Sequence, residues 1–395
     1  MWSNGRSTTL SAACDLIVDC PHRTAPETET EPFGYAVGTR AVVAGRIDFS
    51  AARPVDEPTY VAWTARAVPK EDDLILCREA PVGPVARVSG DTRVCLGQRT
   101  VLLRPGPETD SRFLQALLTS PRAQRHMRGI AEGSTVPHLN VSDVRTLRVL
   151  LPPLSEQRAI ASVLGALDDK VRNNERVSDS LADVCASYGD QAISSSTMTT
   201  SLAHVCEVVR TAGDVTQPYL GLDDMPKGST VIGHWTRDQD PTGASWKFEP
   251  MDVLFGKLRP YFRKVGVAPI EGRCSREILV IRPKEQRYFG LTITTMASQR
   301  FIDHCVAVST GTRMPRAEWR DISTFAISAP PPAELERLNA LATSAYRYII
   351  GLTAESKTLT AIRDALLPKL VSGQIRVPLS NDPEEQIGAA IEALA

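Results

Sequence analysis

The stretch GKLRPYFRK, residues 256–264, sets Lys257, Arg259, Tyr261, Arg263 and Lys264 within nine positions. A guanidinium presents a planar fork of donors that can meet a phosphate, a carboxylate or the O6/N7 edge of guanine bidentately, whereas an ammonium meets phosphate as a point charge. From Met251 to Arg287 the sequence holds nine Lys or Arg against four Asp or Glu, about +5 locally. The whole chain does not share that charge. Its 395 residues carry a formal net charge of -1, with a pI near 6.6 and 42% hydrophobic residues. Electrostatic coating of a polyanion by the entire surface is thereby excluded, but a local basic face is not. The last stretch is acidic, with Asp382, Glu384, Glu385 and Glu392.

Motifs for chemistry on bonds are missing. The sequence has no GxxxxGK[ST] or GxGxxG loop for phosphates, no GxSxG elbow, no HExxH, and no Asn/Asp-Pro-Pro-aromatic signature of amino-methyltransferases. The six histidines are far apart in sequence, and the eight cysteines show no CxxC or Cys/His pairing at metal spacing. Reduced, mostly buried thiols and no metal are the expectation. No apolar run approaches the roughly 18 residues of a membrane span, and Met1 to Ser11 is polar without a signal-peptide core. The expected compartment is the cytoplasm.

The elements that must position these residues come as a repeat. At an offset of 178, Arg104-Pro105 falls on Arg282-Pro283, Ser120 on Ser298, Gly133 on Gly311, Pro137 on Pro315, Asp143 on Asp321, Thr146 on Thr324 and Pro152-Pro153 on Pro330-Pro331. Further upstream the offset grows: TLSAACDLIV at Thr9 pairs with SLAHVCEVVR at Ser201, so the first copy has an insertion. Each copy reads as a mixed unit with strands (Asp73 to Val88 and Arg99 to Leu103; Val253 to Val267 and Ile278 to Arg282), then a shorter helix (Ser111 to Arg128; Arg287 to Cys305) and a long one.

The long helices carry heptads. Ile160, Leu167, Asn174, Leu181 and Tyr188 interleave with Leu164, Val171, Ser178, Cys185 and Ala192; Leu338, Ala345, Leu352, Leu359 and Leu366 interleave with Leu335, Ala342, Ile349, Ser356 and Leu370. A sustained seven-residue period predicts a coiled-coil seam, and the shared register predicts that the two helices pair antiparallel within the chain. Ser155 suits an N-cap, Gly373 a C-terminal cap, and Pro368 predicts a kink in the last turn. The resulting division is a first domain at 1–153, a long helix at 154–195, a second domain at 196–331, a second long helix at 332–376 and an acidic tail at 377–395. The fold class is α+β: two repeated mixed domains separated by two long helices in an antiparallel coiled coil. At about 1.5 Å per residue the run from Ser155 to Ile193 would span roughly 58 Å, which makes it a spacer between two similar heads.

With these residues in view the chain resembles the specificity subunits of Type I restriction-modification systems, over nearly its whole length. DDLILCREAPVGPVARV with CLGQRTVLLRP (Asp72 to Pro105) and MDVLFGKLRPYFRKVGVA with CSREILVIRP (Met251 to Pro283) look like recognition-domain cores. GSTVPHLNVSDVRTLRVLLPPLSEQRAIASVLGALDDKV looks like a domain–helix junction, and IRDALLPKLVSGQIRV (Ile362 to Val377) like the family's ending. The second junction departs from the pattern, reading PPPAELERLNAL where the family usually has a Glu-Gln pair, and the end of the first helix lacks the usual Leu/Phe-rich pattern.

The resemblance implies a subunit that reads double-stranded DNA without performing chemistry. Two modification subunits would bind it and methylate adenine with S-adenosylmethionine, so this chain itself needs no cofactor, and motor-nuclease subunits would join for cleavage. Applied to this sequence, it makes Lys257, Arg259, Tyr261, Arg263 and Lys264 candidate DNA contacts in the second domain, with Arg78, Gln98 and Arg99 in the first. The loops before the junctions add Thr135 and His138, and Thr312, Arg313 and Arg316. The base readers can also lie in the variable segments Gly34 to Trp63 and Gly221 to Lys247, while Arg104 and Arg282, at strand ends, read as structural. The helix-pair seam is expected at Ile160, Leu164, Leu167, Val171, Leu181, Leu335, Leu338, Ile349, Leu352, Leu359 and Leu366. Two alternatives stand beside this reading: a self-contained nuclease or methyltransferase of unfamiliar sequence, and a recognition scaffold of another phage-defence assembly.

Overall fold

The structure, a computed structural model, describes residues 2, 4–133, 136–194, 196, 198–236, 244–311, 313–380 and 382–394. The chain forms two compact units, Met1–Asp169 with Leu359–Ala395, and Lys170–Thr358. Each long helix contributes to both units: the first runs Leu154–Ser194 and the second Pro332–Ser372.

At the centre of the first unit lies a four-stranded antiparallel sheet in the order Cys14–Asp19, Thr100–Pro105, Leu74–Arg78, Val82–Arg87. Successive side chains of a strand point to opposite faces. Leu74, Leu76, Val101 and Leu103 pack on one side with Phe113, Leu114 and Leu164; Ile75, Cys77 and Leu102 pack on the other with Val37 and Val94. Both faces are therefore buried, which is why LILC and VLL read as continuous apolar runs. The second unit repeats the arrangement with Cys206–Val209, Ile278–Pro283, Val253–Gly256 and Val265–Val267. Val253, Phe255, Leu279 and Ile281 face one core, and Leu254 and Val280 the other. A three-stranded sheet flanks each: Arg53–Val55, Gly34–Val37 and Val94–Leu96 in the first unit, and Tyr219–Leu220, Gly272–Ser275 and Ser245–Phe248 in the second.

The same buried ion pair stands at the start of the third strand of each sheet. Arg104 donates through Nε and Nη2 to the two Asp73 oxygens at 2.8 and 2.7 Å, and Asp73 also accepts from the Lys70 backbone at 2.8 Å. In the second unit Arg282 meets Asp252 at 2.7 and 2.8 Å, with the Glu249 backbone at 2.8 Å. The aspartate side chains are only 2% and 3% exposed. Hydrogen bonding to the aspartate, against the cost of burial, holds both guanidiniums above their ordinary value. Arg104 and Arg282 are structural, as their position at strand ends indicated. The pairs also reveal a step in the repeat: Asp73 matches Asp252 one position beyond the 178 offset, so the strand 74–78 is matched at 179.

Each expected shorter helix is two helices, Ser111–Thr119 with Pro121–Ile130 and Phe289–Ala297 with Gln299–Val308. The repeated serine breaks them. Ser120 Oγ donates to Leu117 O at 2.6 Å and accepts from Ala123 N; Ser298 Oγ donates to Thr295 O at 2.7 Å and accepts from Phe301 N. A short hydroxyl can serve both helix ends at once, which favours caps over interiors.

The first long helix begins at Leu154, with Glu156 N and Gln157 N donating to Pro153 O, one residue before the expected Ser155 cap. Gln157 is buried and clamps this turn: its amide donates to Pro152 O at 2.8 Å and Glu108 O at 3.0 Å, and its oxygen accepts from Asp110 N at 2.9 Å. At the matched position of the second junction Leu335 is buried instead. That apolar anchor replaces three hydrogen bonds and accounts for the missing Glu-Gln pair.

In the first unit the seam residues Ile160, Leu164, Leu167 and Leu366 are buried and Leu359 is half-buried; Arg363 crosses to Asp168 at 2.7 Å. In the second unit Leu335, Leu338, Ile349 and Leu352 are buried, and Val171 and Leu181 half-buried. There Asn174 donates to Glu355 at 2.7 Å and Tyr188 to Glu334 at 2.6 Å, so position rises along one helix as it falls along the other. The pair is antiparallel. The second helix continues through Pro368 and ends at Ser372. Gly373 takes φ +73, and a Cβ there would meet the Trp2 ring at 2.9 Å, so only glycine suits this cap.

The acidic end forms a docked helix, Pro383–Glu392, capped by Asp382, with Gln386 and Ala390 buried and Ile387 and Leu394 against the first core. All eight cysteines are free and buried. Burial pushes the thiols of Cys14, Cys77, Cys95, Cys206 and Cys305 up to about 12, which makes them poor nucleophiles.

Removing one partner of a fully buried pair costs about 3–5 kcal/mol, because the other charge stays uncompensated. Arg104 is a quarter exposed, so we expect Arg104→Met to destabilise the first unit by about 2–3 kcal/mol in denaturant unfolding. Arg104→Met with Asp73→Asn should recover most of that loss. A cost below about 1 kcal/mol for the single change would show that the pair does not hold this strand.

Candidate nucleic-acid interface

In both units the central strand runs out of the sheet into one loop system. Leu139 N donates to Arg78 O at 2.8 Å, and Ala317 N to Lys257 O at 3.0 Å; Arg78 N donates to Arg99 O, and Lys257 N to Glu277 O, both at 2.9 Å. These bonds make Arg78 the structural counterpart of Lys257, Arg99 that of Glu277, and His138 that of Arg316. Beside them the chain closes a short loop on itself: Glu132 and His138 exchange backbone bonds at 2.9 and 2.8 Å, as do Thr310 and Arg316 at 3.1 and 3.0 Å. Gly133 and Gly311 take φ +103 and +97 at the loop entry, where a Cβ would strike Val136 O at 2.7 Å or Met314 O at 3.1 Å. The turn requires glycine. Val136 and Met314, in these loops, are 44% and 48% exposed. Exposed apolar side chains suit contact with a thymine methyl or a base step.

The thirteen expected contact residues separate by environment. Thr135 and Thr312 lie outside the described residues. Arg78 is buried in a network: it donates to Leu139 O at 3.2 Å and to His22 Nδ1 at 3.1 Å, and its Nε lies 3.4 Å from Asp19. Lys264 is also buried, its ammonium donating to Leu222 O. Side chains so enclosed hold loops together rather than reach a ligand. Lys257 is mostly covered and pairs with Glu318 at 3.2 Å; Gln98 donates to His22 O at 3.4 Å; His138 is half-buried. Arg259 and Arg263 flank the turn Pro260–Phe262, both in the left-handed region at φ +51 and +52. Arg259 N donates to Pro315 O at 2.8 Å, which joins this turn to the closed loop. Tyr261, Arg263 and Arg313 are exposed. Arg99 and Arg316 are exposed as well, each against a carboxylate: Arg99 Nε lies 3.0 Å from Glu79, and Arg316 Nε and Nη2 both lie 3.1 Å from Glu277.

The carboxylates are what sequence reasoning missed. Glu79 adjoins Arg78 in sequence and Glu318 lies two residues from Arg316, whereas Glu277 is far from every candidate cation, and in all three the partnership is set by the fold. Asp19, Cys20 and His22 bring ligand atoms within 4.8 Å of one another. Both His22 nitrogens are already engaged, however, Nε2 with Asp19 at 2.7 Å and Nδ1 with Arg78. A guanidinium at that distance opposes a cation, so the cluster supports Arg78 rather than a metal.

Comparison with known proteins agrees with the resemblance. The family model described as the Type I restriction modification DNA specificity domain matches residues 64–182. The specificity subunit of the Type I restriction enzyme MjaIX from Methanocaldococcus jannaschii is 22% identical over 364 residues, covering 82% of each chain. That of EcoDI from Escherichia coli is 21% identical over 297 residues, 62% of this chain and 66% of the other. The crystal structure of the Type I restriction-modification S subunit from M. genitalium shares the fold, with a TM-score of 0.57 and 16% identity across 93% of this chain and 96% of that one. Residues 64–182 therefore match the Type I restriction modification DNA specificity domain, and over 82% of its length the chain aligns with a specificity subunit of such a system.

Proposed function

We propose that this chain is the DNA-reading subunit of a Type I restriction-modification complex, each unit reading one half of a bipartite duplex site. The observation that carries the reading is the repetition itself. Two units of the same architecture each close the same loop at the end of the same strand, and each sets an exposed arginine beside it. On this reading the two modification subunits supply S-adenosylmethionine and methylate adenine, and motor-nuclease subunits use the complex for cleavage. Complexes of this kind act on cytoplasmic DNA.

The decisive test pairs the full chain with its cognate modification subunit. Sequence-specific adenine methylation is expected from the mixture and from neither protein alone; methylation by this chain in isolation would favour a self-contained enzyme. Replacing residues 1–150 with the first domain of a related subunit should change one half-site in methylome sequencing and leave the other intact. A change in both halves, or in neither, would sink the two-head reading.

We also take the long helices as the spacer between half-sites, a reading supported by their 41-residue length and buried seams. One heptad inserted after Asn174 and another after Leu352 keeps the seam in register and adds about 10 Å. That corresponds to about three base pairs at roughly 3.4 Å each. Three base pairs also rotate a half-site by roughly 100° at about 10.5 per turn. Absorbing that twist costs on the order of a few kcal/mol. The expected result is weaker methylation at the same half-sites with a spacer two to three base pairs longer, by this arithmetic. Robust methylation confined to the original spacer would show that the helices do not set it.

A further inference from the structure

We propose that Arg316 and Arg99 are the guanine readers of the two units, and that Glu277 and Glu79 orient them. The proposal rests on the DNA-reading function above and goes further by naming which cations specify sequence. Arg316 lends one edge of its guanidinium, Nε and Nη2, to the two oxygens of Glu277 at 3.1 Å each. Three N–H groups remain, and the terminal edge keeps the pair of parallel donors that fits guanine O6 and N7. The Arg316 side chain is 46% exposed and its partner 29%, so the arginine is the more accessible member of the pair.

The clamp is itself fixed. Glu277 N donates to Ser275 Oγ at 3.2 Å and its carbonyl accepts from Lys257 N; the Arg316 backbone is held by Thr310 on one side and bridged to Leu258 on the other. The first unit reaches the same chemistry from other positions. The counterpart of Glu277 is Arg99, and it pairs through Nε with Glu79 at 3.0 Å while 47% exposed. The Arg99 carbonyl is held by Arg78 N, and Glu79 is bridged to His138. One clamped, half-exposed arginine thus stands beside the closed loop in each unit, although carboxylate and guanidinium have exchanged positions.

Charge separates these two from the exposed cations Arg263 and Arg313. A carboxylate at 3 Å largely cancels the field of its arginine, so Arg99 and Arg316 make poor grips for phosphate, whose contacts draw strength from uncompensated charge. A fixed fork loses little side-chain freedom on meeting a base edge, and that favours discrimination. Arg313 and Arg263 are exposed and form no ion pair among the described residues. They suit the phosphate role: neither charge is cancelled by a neighbouring carboxylate, although Arg263 Nη2 donates to Ala297 O at 3.3 Å.

The test uses the full chain in complex with its modification subunit and a randomised duplex library, read as relative affinity at each base pair. Wild type must first select a bipartite site; if it selects none, the DNA-reading function fails, and this assignment with it. Given that site, Arg316→Ala and Arg316→Lys should each relax one guanine in a single half-site by roughly tenfold to a hundredfold. The lysine variant keeps the charge and loses only the fork, so it keeps the test decisive if the alanine variant unfolds. Glu277→Gln should relax the same position more weakly. Arg99→Lys should act in the other half-site alone. Arg313→Ala should weaken all sequences alike and lower the salt slope by about one unit, leaving every base preference as it was. Unchanged preference at all positions in a folded Arg316→Lys complex would overturn the assignment, as would uniform weakening with a reduced salt slope.

Discussion

A carboxylate withdrawn from water must be met by charge or by donors, and one aspartate per unit meets both requirements. The bond from Arg104 to Asp73, and from Arg282 to Asp252, does what the apolar pattern cannot. Register in a sheet is usually policed by alternation, because a one-residue slip turns the buried set toward solvent. Here the central strands are buried on both faces, so Leu74-Ile75-Leu76-Cys77 could slide by one and still lie in hydrocarbon. A slip would instead tear the bidentate pair and leave a charge buried. The ion pair therefore sets the register of the strand, and the strand sets where Arg78 and Lys257 emerge into the loops.

How far these features can be read without coordinates depends on the range of the interaction. The long helices were legible because a heptad is local and repeats: Ile160, Leu164 and Leu167, like Leu338 and Leu352, are buried where the period puts them. The duplication was legible because prolines and glycines at turns cannot drift. Features made by distant partners were not. The docked helix Pro383–Glu392 hid behind its own acidity, because four buried or half-buried positions suffice to attach it. The breaks at Ser120 and Ser298 were visible as matched serines, but a serine becomes a cap only when both helix ends reach it. Among the candidate contacts, residue type alone grouped Arg78 and Lys264 with Arg313; enclosure by Asp19, His22 and Leu222 is a property of the fold.

The two junctions show how one backbone accepts unlike chemistry. Gln157 secures the first helix through three hydrogen bonds, and Leu335 secures the second by burial. A buried amide needs all of its partners, since an unmet one costs about 1–3 kcal/mol; a leucine needs only a close fit. Gln157 ties the helix to the loop 108–110 with a defined direction, whereas Leu335 leaves direction to the Glu334 contact just before it and the Asn339 contact one turn on.

The same freedom operates where bases would be read. At the loop system main-chain bonds hold Arg78 to Arg99, Lys257 to Glu277, Glu132 to His138 and Thr310 to Arg316. Because main-chain bonds hold positions 99 and 277, and 138 and 316, Arg can stand where the other unit has Glu, and His where it has Arg, on the same backbone. Specificity can then change by substitution at fixed addresses, while the buried aspartate pair keeps those addresses in place. Pairing each reading arginine with a glutamate also adds nothing to net charge, in keeping with a formal charge of -1 on a chain that resembles DNA-reading subunits. Discrimination and affinity are separable in such a design. On the proposed reading the clamped arginines choose the bases, and uncompensated charge, from Arg263 and Arg313 and from partner subunits, supplies the grip.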